Sequence, residues 1–148
     1  MRRTFFVSFA CALGLAVIGC GEEGVSSGAT VNVYVSGESL CKGARQELNS
    51  SSGRAGSFHV RMICLDNPGT LAAAGANARR ATEDSSTVGF LIEPDPTLAS
   101  FSRSILDAAD IAQVANRSGQ ASMATLLDAI RRADDPDSLR ESVYSVLG

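Results

Sequence analysis

The residues of this 148-residue chain whose type and spacing could do chemistry gather at a few loops. Glu93 and Asp95 stand two apart after the apolar run Thr87–Ile92. Two carboxylates at one crevice edge form an acid pair or a site for a hard cation. Asp95 has a second reading, because Pro96 and Thr97 follow it: a helix N-cap with proline at the first helical position. Ser36, Gly37 and Ser39 offer two hydroxyls and an unobstructed backbone between a valine-rich run and a helical stretch. His59 is the single histidine, and it opens a strand, at the edge of a parallel sheet away from a ligand crevice. The chain has no Gly-x-Ser-x-Gly elbow, no Gly-x-x-x-x-Gly-Lys-Ser/Thr loop, and no Gly-x-Gly-x-x-Gly after its first strand. Serine hydrolysis, P-loop nucleotide chemistry and dinucleotide binding therefore lack their residues. The expectation is a protein without catalysis and without a cofactor; two cysteines and one histidine also make no metal site.

The N-terminal 19 residues read as a targeting segment. Arg2 and Arg3 precede the 14-residue apolar run Phe5–Ile18, short of the ~20 residues of a bilayer span. Val17-Ile18-Gly19-Cys20 resembles the cleavage box of bacterial lipoproteins. That resemblance implies a lipid on Cys20 and a place on the outer side of a bacterial membrane, anchored by two or three acyl chains. A plain secretory signal with a chance cysteine is the alternative. Residues 20–29, rich in Gly, Ser and Glu, read as a tether, and 30–148 as a single domain. Losing Arg2 and Arg3 from 13 basic residues leaves 11 against 16 acidic ones, a net charge of −5. With few aromatics and no tryptophan, this balance argues against nucleic acid.

The positioning elements follow from periodicity. Val31, Val33 and Val35 alternate with Asn32 and Tyr34, predicting a strand that feeds a helix beginning near Ser39. His59–Leu65 is a second strand, with Arg61 suggesting an edge; Asn49–Ser57 between them is rich in breakers and reads as a loop or a helix end. Leu71–Thr82 is a helix with the stripe Leu71, Ala74, Ala78 and Ala81 turned to the sheet. Thr87–Ile92 is a strand buried on both faces, and Thr97–Ala109 a helix with Leu98, Phe101, Ile105 and Ala108 inward. Ile111–Val114, a polar loop Ala115–Ser122, a helix Met123–Ala133 and a last helix opened by Asp135-Pro136 complete the chain. Strand–helix alternation predicts an α/β fold: an open parallel sheet of about four strands in order 2-1-3-4, helices on both faces, flavodoxin-like. The crevice then lies where strands 1 and 3 diverge, with lips at Ser36–Ser39, Glu93–Thr97 and Ala115–Gly119. Ser36, Gly37, Ser39, Glu93, Asp95 and Thr97 are the candidate ligand contacts. Cys41, in the first helical turn, and Cys64, late in the second strand, fall on the same sheet edge. A bridge there closes a loop of about 24 residues and contributes roughly 3 kcal/mol; two buried free thiols are the alternative.

Four segments occur in the order and spacing of one lobe of a known family: VNVYVSG…CKGARQEL, VRMICLDN, NARRATED and VGFLIEPD…ASFSRSILDAADIAQV. Over roughly Thr30–Gly119 they resemble the N-terminal lobe of type I periplasmic binding proteins, the leucine/isoleucine/valine-binding kind that serves ABC importers. The resemblance implies recognition of a small polar solute, without catalysis, as a transporter component, an accessory or a sensor. Three departures stand beside it. That family closes two lobes on its ligand, and this chain spans about one. Glu93 and Asp95 would repel a ligand carboxylate, and Pro94 and Pro96 remove two N–H donors. The loop after the fourth strand, Ala115-Asn116-Arg117-Ser118, lacks the family's usual Ser-Pro pair. The competing expectations are a protein-interaction module, including a homodimer that rebuilds a two-lobed cleft, and an enzyme using Glu93 and Asp95 with a metal.

Overall fold

A computed structural model describes residues 28–116, 118–133 and 137–147. The signal segment, Cys20, most of the tether and the Asp135-Pro136 helix start lie outside them. The chain runs β1 (Thr30–Ser36), α1 (Glu38–Ser50), β2 (Arg54–Ala55), β3 (Phe58–Leu65), α2 (Leu71–Thr82), β4 (Thr87–Ile92), α3 (Pro96–Leu106), β5 (Ala112–Ala115), α4 (Gly119–Arg132) and α5 (Leu139–Leu147). Among these residues no helix is long and apolar enough to cross a membrane.

The fold is α/β, but the sheet corrects the expected four parallel strands. It has five strands, ordered β2-β3-β1-β4-β5, and it is mixed, because β2 runs antiparallel to β3. The expected loop Asn49–Ser57 contains this short hairpin arm. Ser52, Gly53 and Gly56 take positive φ (56°, 68° and 59°), which turns the chain back on itself. Ala55 is then fully buried, and the Val60 amide donates to the Gly53 carbonyl. β3 pairs with β1, β1 with β4 and β4 with β5, all parallel.

Alternation along β1 divides the core in two. Val31, Val33 and Val35 face α1, α4 and α5, joining Leu40, Ala44, Leu126, Leu127 and Ile130 in the larger apolar cluster. Tyr34 faces α2 and α3, with Phe90, Ile92, Leu106 and Ile111. β4 is buried along its whole length, as its continuous apolar run requires. At Gly89 a side chain would run into Leu126, so glycine here lets α4 settle on the strand.

Several helix readings need correction. Leu71 and Phe101 are 44% and 40% exposed rather than turned to the sheet, and Ala108 is exposed. The inward position of α3 is taken instead by Ser102, fully buried, whose hydroxyl donates to Gln113 Oε1 at 2.8 Å. Phe101 lies over Gly75 of α2, where a Cβ would sit 2.8 Å from its ring. The third helix also ends early: α3 stops at Leu106, and a 3₁₀ turn, Asp107–Ala109, carries the chain to Asp110 in the left-handed region. The expected polar loop Ala115–Ser122 is shorter than it reads, because α4 begins at Gly119 with the Ser118 side chain accepting from the Ala121 amide. In α5, Leu139 and Val143 are buried, whereas Val146 is 45% exposed.

Candidate functional site

The C-terminal edge of the sheet brings together the loops after β1, β3 and β4. β1 runs straight into α1 through Gly37, whose φ of 121° only glycine adopts easily. Among the described residues no side chain caps α1. Ser39, in its first turn, turns its hydroxyl instead to Glu93, donating to Oε1 at 2.5 Å. A Cβ on Gly37 would lie 3.6 Å from both Asn67 Oδ1 and Glu93 Oε1, which places those two side chains over the loop.

The six candidate contacts divide under this geometry. Gly37, Ser39 and Glu93 meet across the β1/β4 divide. Ser36 is fully buried, and its hydroxyl accepts from Asn77 Nδ2 at 2.9 Å. Asn77 also donates to the Asp66 carbonyl at 3.0 Å, which ties the loop after β3 to the end of β1. Asp95 is the N-cap of α3, with Oδ1 accepting from the Thr97 and Leu98 amides at 2.9 Å each. Thr97 lies exposed in the first turn of α3 and reaches the cluster through that cap. Among the described residues no group of three or more His, Cys, Asp and Glu stands together to hold a metal ion. Asn67 and Asn77 were not singled out in the sequence. The Asp66-Asn67-Pro68-Gly69 turn was the signal for the first; the second is one polar residue on a helix, with nothing to mark it.

The open space lies to one side of the expected crevice. A groove of about 610 Å³ runs between the outer face of α1 and the end of β3. Its wall includes Lys42, Arg45, Gln46, Cys64, Asp66 and Asn67. Cys41 and Cys64 form a disulfide there, with Cα atoms 5.9 Å apart. Cys41 is 6% exposed, whereas Cys64 is exposed. Arg45 Nη2 lies 3.8 Å from Cys41 Sγ and 3.6 Å from Cys64 Sγ. The strand edge beside the groove is open, because β2 pairs with β3 only at Phe58 and His59. His59 bonds toward β1 and Val60 toward β2, so in the alternating parallel pattern Met62 and Cys64 direct their N–H and C=O groups outward.

A second polar cluster occupies the opposite end of the sheet. Asp84 Oδ2 accepts from Asn32 Nδ2 at 2.6 Å and from the Tyr34 hydroxyl at 3.0 Å, and Oδ1 from the Ser86 amide. Arg61 Nε donates to Asn32 Oδ1 at 2.8 Å. Arg140, from α5, donates to the carbonyls of Asp84, Ser85 and Thr87. Burial pushes the Asp84 carboxyl up, but hydrogen bonds from Asn32, Ser86 and Tyr34 and the nearby Arg61 outweigh it and hold it below the usual carboxylate value. Burial, then the Asp84 hydrogen bond and charge, raise the Tyr34 phenol. His59 lies at this end too, its Nε2 2.9 Å from Arg54 Nη1.

No protein-family model, curated protein or solved structure matches the chain.

Proposed function

We propose that this protein recognises a small polar solute at the C-terminal edge of its sheet, as one lobe of the type I binding-protein kind, anchored at the cell envelope through a lipid on Cys20. It serves an ABC importer of the branched-chain amino acid type, or acts as an accessory or sensor, and does no catalysis. The observation that carries the reading is the convergence of three loops beside an open groove. Ser39 and Glu93 meet at 2.5 Å, and Asn67 stands over Gly37. In open α/β sheets this edge is where ligands bind. The two carboxylates have different roles. Asp95 is occupied by two helix amides, which leaves Glu93 to address the ligand. That arrangement favours a solute offering a donor, an amide, hydroxyl or ammonium group, over one offering only a carboxylate.

A thermal-shift screen of amino acids, amides, sugars and divalent cations tests the proposal. A true ligand at 100 times its Kd adds about 2.7 kcal/mol and raises the melting temperature. Glu93→Gln abolishes that rise while leaving the unliganded melt in place. A screen in which no solute stabilises the protein rejects the reading.

A further inference from the structure

We propose that the Cys41–Cys64 disulfide is a thiol–disulfide exchange site for a small peptide thiol of the glutathione type, with Cys64 Sγ the sulfur attacked and Cys41 Sγ the sulfur expelled. The proposal does not rest on the solute reading, since exchange requires no other ligand.

The two sulfurs differ in access. Both cysteines line the groove, but Cys41, in the first turn of α1, is nearly buried whereas Cys64 is exposed. A thiolate entering from the groove therefore reaches Cys64. The departing sulfur is Cys41, which must carry negative charge as the bond breaks. Arg45 stands over both sulfurs, at 3.8 and 3.6 Å, and a guanidinium there favours the thiolate. The start of α1 acts in the same sense, because Cys41 lies in its first turn. A leaving thiol that is more acidic leaves faster.

The surroundings suit a peptide thiol rather than a bare alkyl thiol. The outward N–H and C=O groups of Cys64 can pair with the main chain of a cysteinyl residue beside the sulfur. Lys42 and Arg45 face the carboxylates such a molecule carries, and Glu38 and Asp66 its ammonium group. In the first step a peptide thiolate bonds to Cys64 Sγ, the Cys41–Cys64 bond breaks, and Cys41 leaves as thiolate and takes a proton. In the second step another peptide thiolate attacks the peptide sulfur of the mixed disulfide and expels the Cys64 thiolate. Two peptide thiols become one peptide disulfide, and the two electrons reside in the protein dithiol. The reverse sequence oxidises the dithiol with peptide disulfide.

Glutathione added to the oxidised full-length protein without denaturant, followed by acid quench, alkylation and peptide mapping, tests this. The expected result is a mixed disulfide on Cys64, formed about tenfold more slowly in Arg45→Ala, restored within a few-fold by Arg45→Lys, and unchanged in Arg103→Ala on the far face. Cys41→Ser, treated with glutathione disulfide instead, holds glutathione on Cys64, whose thiolate attacks that disulfide and expels one reduced glutathione; should that variant not fold, the wild-type mapping decides alone. Three outcomes overturn the proposal: adduct on Cys41, no adduct in native buffer, or an exchange rate that ignores Arg45 and climbs with urea in step with unfolding. A failed solute screen leaves the exchange result standing, and a failed exchange leaves the solute reading standing.

Discussion

At the N-terminal end of the sheet, Asn32, Tyr34, Arg61 and Arg140 converge on Asp84 and the loop that carries it; at the C-terminal end, Ser39 and Glu93 meet beside an open groove. Both ends are rich in polar side chains, so composition does not separate them. Their hydrogen-bonding capacity does. Asp84 accepts from two side chains and one amide, and the three Arg140 bonds go to backbone carbonyls. Such a cluster holds α5 and the β4 entry in place and has little left for a ligand. The Thr87 hydroxyl is the exception, buried there with no partner among the described residues. Glu93, half-buried at the other end, has one side-chain partner among the described residues, Ser39. A polar cluster that satisfies itself is scaffold, and one that keeps hydrogen-bonding capacity next to a groove is the better place to look for binding.

Four measurements break or sharpen this contrast. The largest effect belongs to the disulfide, the covalent fixture of the C-terminal end. Replacing Cys41 and Cys64 together by serine lowers unfolding free energy by about 3 kcal/mol in the chain-entropy model. Urea titration of the oxidised protein and the double variant reads it, and equal midpoints would show that the bridge restrains nothing. Next is Arg140→Met, which takes one donor from each of three carbonyls and costs about 2 kcal/mol. A loss under about 0.5 kcal/mol would remove the network from the scaffold.

Asp84→Asn costs about 1–2 kcal/mol at neutral pH. The sign of its pH dependence follows from the depressed carboxyl. The stabilisation is complete above the ordinary carboxylate value, near pH 4, and is lost as pH falls through the lower folded value. Urea midpoints of the wild type therefore drop more steeply below pH 4 than those of Asp84→Asn; parallel curves would refute the assignment. Tyr34 acts in the opposite direction, its contribution present below about pH 10 and lost as pH rises through the raised folded value. The smallest effect is Ser39→Ala. This exposed bond contributes under about 0.5 kcal/mol, so the melt stays in place while any solute-induced shift falls. A loss of several kcal/mol would make Ser39 scaffold as well.

The alternation of strands and helices was legible because each long element carries its own period, as Val31, Val33 and Val35 do against Cys41, Ala44 and Leu48. β2 was not, because two residues have no period, and its cause is left-handed backbone at Ser52, Gly53 and Gly56. The start of α4 was hidden by small polar residues that read as loop until the Ser118 cap is seen. Phe101 and Ser102 exchanged their expected places because the serine has a buried partner in Gln113 on another element. Both cysteines could be placed on one edge from their positions along strand and helix. The Ser39–Glu93 meeting could not, since it joins side chains 54 residues apart whose rotamers depend on two loops. Asn77 was invisible for the same reason: its partners, Ser36 and Asp66, belong to other segments.

Gly119 lies so close to the Leu40 carbonyl that even a methyl group has no room. One turn along, a Cβ on Gly43 would lie 3.0 Å from the Gln120 amide nitrogen, a second but looser approach of the two helices. The start of α4 and the start of α1 are thereby welded into one stiff limb. Through Glu93, in the loop that precedes α3, the Ser39 hydroxyl couples that stiff limb to the other side of the sheet edge.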